Sequence, residues 1–254
     1  MKYQMGFGLS AVALAVMMSS GCILFQTGSA TTEGSVGGRE VSLSGTVFSW
    51  WDETVYDVDD DGNLFKQTRD GEEQHLNIAL YGFSFNPRED QRFWSWQQIV
   101  EFNYNMMHHD HLSFTVGAAG GLSNGARLEY NNEDPPIPDD NPHLLGEPGF
   151  YQAPVKVNET NDYPGTVKEP GSRRVYVLEL STVEREPGSE IKGSFEVKIE
   201  KAENDPSNVV TGSVRGDFTA PLIHERIAEC NFSGGGAGMG VDPCADLELD
   251  GETP

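Results

Sequence analysis

Residues 191–222 read IKGSFEVKIEKAENDPSNVVTGSVRGDFTAPL. Ile191, Phe195, Val197 and Ile199 alternate with Lys192, Ser194, Glu196, Lys198 and Glu200. After the turn-rich ENDPSN, Val210, Val214, Phe218 and Leu222 alternate with Thr211, Ser213, Arg215 and Asp217. Successive side chains of a strand point to opposite faces, so one apolar and one charged face predict an antiparallel hairpin, packed on one side and wet on the other.

Working outward, RRVYVLELSTV (173–183) predicts a third strand, and VSLSGTVFSW (41–50) and HLNIALYGFSF (75–85) two more. In REDQRFWSWQQIVEFNYNM (88–106), Asn86, Pro87 and Glu89 resemble a helix start. The even positions from 94 to 106 nevertheless hold Trp94, Trp96, Val100, Phe102, Tyr104 and Met106, with only Gln98 polar, and this period of two predicts a strand. Residues 131–174 carry Pro135, Pro136, Pro138, Pro142, Pro148, Pro154, Pro164 and Pro170 among acidic and amide residues, which denies them a full hydrogen-bond ladder. The expected fold is all-β: an antiparallel β-sandwich over 40–229, with 131–174 as a long Pro-rich irregular insertion and 230–254 as a Gly-rich, disulfide-closed loop and acidic tail.

The 254 residues carry 17 Lys+Arg against 40 Asp+Glu, a net charge of −23. Such a chain repels phosphate backbones, so nucleic acid is excluded as a partner. At the N-terminus, Lys2, the apolar MGFGLSAVALAVMM (5–18) and small Ser19, Ser20 and Gly21 form the three parts of an export signal at 1–21. The apolar run is shorter than the about 20 residues a spanning helix requires.

The ending SSGC (19–22) resembles the lipobox of bacterial lipoprotein signal peptides. That resemblance, confined to residues 1–22, implies cleavage before Cys22 and acylation of Cys22. Ser19 stands where an aliphatic residue is usual, and cleavage after Gly28, Ser29 and Ala30 is the alternative. Two or more acyl chains anchor stably, at about 0.8 kcal/mol per buried methylene. Ile23, rather than Asp, resembles the outer-membrane sorting pattern. Residues 22–39, rich in Gly, Ser and Thr, then read as a lipidated flexible tether.

Cys230 and Cys244 remain as an even pair in an exported chain and are expected to form a disulfide. Asp57, Asp59, Asp61 and Gly62 in DVDDDGN match the opening of a calcium loop, but Thr68 stands at the twelfth position, where Glu is needed. The same residues also suit a hairpin turn on Asp61-Gly62 between ETVYDV and NLFKQT. In MMHHDHLSFTV (106–116), His109 and His111 at spacing two would share a strand face and could hold one zinc or copper ion with His143 or His224. A solvated turn is the other reading.

There is no G-x-S-x-G elbow, and carboxylate pairs among 40 acids are unreadable from sequence. Under a bacterial reading the sequons at Asn158 and Asn231 are accidental. The expected function is a membrane-anchored envelope lipoprotein, a non-catalytic binding or structural module for an envelope protein or glycan. The sequence assigns no cofactor outright, with calcium the open candidate. The alternative is a metal-dependent envelope enzyme built on His109 and His111.

Overall fold

The computed structural model describes residues 27–58, 64–71, 73–85, 96–118, 121–132, 144–153, 172–201 and 210–223. The chain is mostly antiparallel β-structure. Its elements in order are β1 (Ser29–Ala30), β2 (Glu33–Val36), β3 (Arg39–Glu40), β4 (Thr46–Asp52), β5 (Thr54–Val58), β6 (Leu64–Thr68), β7 (His75–Tyr81), α1 (Trp96–His108), β8 (His111–Gly117), β9 (Ala126–Asn131), β10 (Gly149–Tyr151), β11 (Ser172–Thr182), β12 (Glu190–Lys201) and β13 (Gly212–Pro221).

The larger sheet has the order β3-β2-β13-β12-β11-β9, with β1 also on β13; the smaller has the order β10-β8-β7-β4, and β5 pairs with β6 alone. The hairpin expected from 191–222 is β12 with β13, in register from Glu190↔Pro221 to Ile199↔Gly212. Its alternation is the physical cause: Ile191, Phe195, Val197, Ile199, Val214 and Phe218 are all buried, while Lys192, Glu200 and Arg215 are exposed. The strands expected at 173–183, 41–50 and 75–85 are β11, β4 and β7.

Leu178, Phe195, Val197 and Phe218 of the larger sheet share one core with Val47, Leu76, Ile78, Leu112 and Phe114 of the smaller. Each such side chain contributes about 1.5–3 kcal/mol by leaving water. β4 and β7 do not alternate cleanly, because their outer face is also covered: Ala79, Tyr81 and Phe83 pack against Phe102 and Met106 of α1.

Two expectations are corrected and a third is refined. Residues 96–108 form a helix, not a strand. On a helix, residues four apart lie about 40° from one another, so even positions separate into two stripes on nearly opposite faces. Phe102 and Met106 face the sheet, whereas Val100 and Tyr104 are exposed. A period of two is therefore as consistent with two opposed stripes as with a strand.

The expected tether is also partly structured, since β1, β2 and β3 occupy much of 29–40. Gly37 and Gly38, with φ of 61° and 73°, close a two-residue hairpin between Val36 and Arg39. Positive φ at both central residues is the turn that Gly-Gly favours. Finally, the proline-rich segment contains β10, an edge strand on β8 with Phe150 opposite Leu112. An edge position needs a ladder on one side only, which tolerates Pro148 immediately before it.

Candidate functional site

Between α1 and β8 the sequence His109-Asp110-His111 crosses the edge of the smaller sheet. Helix geometry persists to His109, whose N–H donates to the Asn105 carbonyl at 2.9 Å, and the strand begins at His111. The expected pairing of both imidazoles on one strand face is therefore not formed. His109 lies against Phe83, with ring centroids 5.5 Å apart. His111 stacks on Tyr151 of β10 at 4.8 Å and 19°. Burial lowers the His111 pKa below its ordinary value, outweighing the opposing backbone hydrogen bond with His109 and the pull of Asp110.

Asp110 itself is buried and fully engaged. Its Oδ1 accepts from Arg39 Nη2 and from the Ala153 N–H, both at 2.8 Å, and its Oδ2 accepts from the Ser42 N–H at 2.9 Å. The carboxylate thus fastens three distant segments and serves architecture. Among the described residues, no group of three or more His, Cys, Asp or Glu is gathered as a metal-holding set. His143 and His224 lie outside the described residues, as do Cys22, Cys230, Cys244, Asp59 and Asp61. Asp57 is in β5, and the β5–β6 pairing from Thr54↔Thr68 to Val58↔Leu64 gives the hairpin that DVDDDGN was expected to join.

A second arrangement, on the solvent face of the larger sheet, was not legible beforehand. Register sets Glu33, Arg215, Glu196 and Val177 side by side across β2, β13, β12 and β11. The next row sets Asp217, Ser194, Glu179 and Arg127 across β13, β12, β11 and β9. Short Val177 and Ser194 lie low between long charged neighbours, leaving a groove of about 430 Å³.

Arg127 bridges Glu179 and reaches Glu129 at 3.5 Å; Arg215 reaches Glu33 at 3.2 Å. The hydrogen bond that Arg127 donates to Glu179 raises the Arg127 pKa further above its already high value, so it stays cationic throughout the ordinary pH range. Exposed ion pairs contribute little to stability, so these do not account for the fold. What they provide is an alternation of guanidinium donors and carboxylate acceptors on an open face. Among the described residues, no histidine or cysteine lines this groove, and those that line it form no Ser–His or Cys–His nucleophile pair there. Its chemistry suits reversible binding of a polar, hydrogen-bonding ligand. No signal along one strand could have revealed it, because its residues come from five.

Comparison with protein-family models, with curated proteins and with solved structures found no match.

Proposed function

We propose that the chain is a lipid-anchored envelope protein, held in the outer membrane of a bacterium through acylated Cys22. Its body binds a polar envelope ligand, a glycan or a protein surface, without catalysing a reaction on it. One observation carries the anchor reading. At Gly28, Ser29 and Ala30, the alternative cleavage position, the chain is held by both sheets: Ser29 pairs with Thr219 and Ala30 with Phe218 in the larger, and the Gly28 N–H donates to the Val47 carbonyl of β4 at 3.1 Å. A Cβ on Gly28 would lie 2.1 Å from the Thr219 carbonyl oxygen, so the position is fitted to glycine. Cleavage after Ala30 would discard these contacts, whereas cleavage before Cys22 keeps them.

Two sheets around a common core support reading the body as a β-sandwich, with residues 131–174 as its insertion and the Cys230–Cys244 bridge closing its tail. The groove beside Arg127 and Arg215 supports the binding role. The test is fractionation of cells expressing Cys22→Ser. The variant is expected in the soluble fraction or retained as precursor, while wild type sediments with membranes and floats with lipid. Wild type that fails to float after salt washing would contradict the reading.

A further inference from the structure

Among the described residues, nothing covers one apolar stripe of helix α1. Val100 and Tyr104 are 48% and 57% exposed, and Met107 is 57% exposed. These positions follow i, i+4, i+7, one continuous stripe about 10 Å long at a rise of about 1.5 Å per residue. The opposite stripe, Phe102 and Met106, is the one seated on the smaller sheet. We infer that the Val100–Tyr104–Met107 stripe lies on the lipid surface of the membrane that holds Cys22.

This inference rests on the anchor reading, and the position of the anchor selects the occupant. Cys22 is six residues before Gly28, which is fixed to the sheet, so the acylated residue stays within about 20 Å of Gly28 even when the chain is fully extended. From Gly28 the path to α1 is short. Its N–H meets the Val47 carbonyl at 3.1 Å, Phe48 follows, the Phe48 and Phe85 rings are 5.4 Å apart, and Phe85 and Phe102 are 5.1 Å apart. A membrane plane within about 20 Å of Gly28 therefore has α1 within reach.

Charge and length agree with this. From Trp96 to His108 the helix has one acid, Glu101, and no Lys or Arg, in a chain that has 40 acids in 254 residues. It is consequently a face that an anionic lipid surface repels weakly. Its 13 residues are too few to span a bilayer but suit an amphipathic helix lying in the interface. Tyr104, with an apolar ring and a polar hydroxyl, suits that boundary.

The test uses the full-length protein in phosphatidylethanolamine–phosphatidylglycerol vesicles containing lipids spin-labelled in their acyl chains. A fluorescent non-natural residue is placed at position 104 or, in a second protein, at exposed position 213 on the larger sheet. Incorporation of a fatty-acid analogue at Cys22 is read separately. Acylated protein quenched several-fold more at 104 than at 213 supports the inference. The double variant Val100→Asn with Met107→Gln, both at exposed positions, should reduce that quenching. Acylated protein quenched equally at both positions, or linked through position 104 to a second copy by a photoreactive residue, overturns the inference and leaves the anchor standing. Unacylated Cys22 overturns both.

Discussion

Arg39 Nη2 donates to Asp110 Oδ1 at 2.8 Å across 71 residues of sequence, tying β3 of the larger sheet to the start of β8 in the smaller. Asp110 is the more buried partner, with 8% of its side chain exposed against 29% for Arg39. Removing one member of a buried pair leaves the other's polar groups without compensation.

Asp110→Ala is therefore expected to destabilise the protein by about 3 kcal/mol, because the Ser42 and Ala153 N–H groups lose their acceptor together with Arg39. Arg39→Ala should cost less, since the carboxylate keeps two backbone donors. Urea unfolding measures both. Equal losses, or an Asp110→Ala loss within experimental error, would contradict the architectural role.

Gly38 has φ of 73° and nothing within 4 Å of the position a Cβ would take, so its substitution isolates backbone conformation from packing. Gly38→Ala should cost about 1–2 kcal/mol, while Gly38→Asn, which tolerates the left-handed region, should cost less. The two thermal midpoints give the order, and Asn proving worse than Ala would refute this view of the β2–β3 turn.

His111 titrates below its ordinary value of 6.5 because burial disfavours the imidazolium. The unfolded chain takes up a proton at higher pH than the folded one. Stability is accordingly greatest above about pH 6.5 and falls as pH drops from there toward the folded pKa. His111→Phe keeps a ring on Tyr151 and removes the proton, so it should flatten this part of the profile. His75, whose pKa burial also lowers, leaves a smaller residual slope. Identical profiles for wild type and His111→Phe between pH 5 and 8 would show that His111 is not responsible.

The legible and illegible parts of the fold divide along the range of the interactions. The β12–β13 hairpin was readable because each strand shows one wet and one dry face, a pattern contained in ten consecutive residues. α1 was misread because Trp96, Val100 and Tyr104 and the set Gln98, Phe102 and Met106 are each spaced by four, and together they imitate a period of two. Gly37-Gly38 was readable in principle as a hairpin turn, but the surrounding Ser, Thr and Gly masked it as a tether. The role of Asp110 could not be read, since its donors Arg39, Ser42 and Ala153 lie 71, 68 and 43 residues away. The groove depends on the registers of five strands and left no local trace.

Calcium at Asp57, Asp59 and Asp61 is expected to bind weakly, at about 10⁻⁴ to 10⁻³ M, because no bidentate Glu closes the loop. At tenfold excess over Kd, ligand bound only by the folded state adds about 1.4 kcal/mol. Calorimetry with millimolar calcium should show a higher Tm for wild type and no shift for Asp59→Asn with Asp61→Asn. Equal behaviour of the two proteins would reduce DVDDDGN to a turn.

The anchor is the claim on which the cellular reading depends, and the mass of the mature N-terminal peptide tests it directly. Cleavage before Cys22 with acylation predicts a peptide beginning at Cys22 and heavier than its sequence by the attached lipid. A peptide beginning at Thr31, or one beginning at Cys22 at its bare sequence mass, would contradict the account.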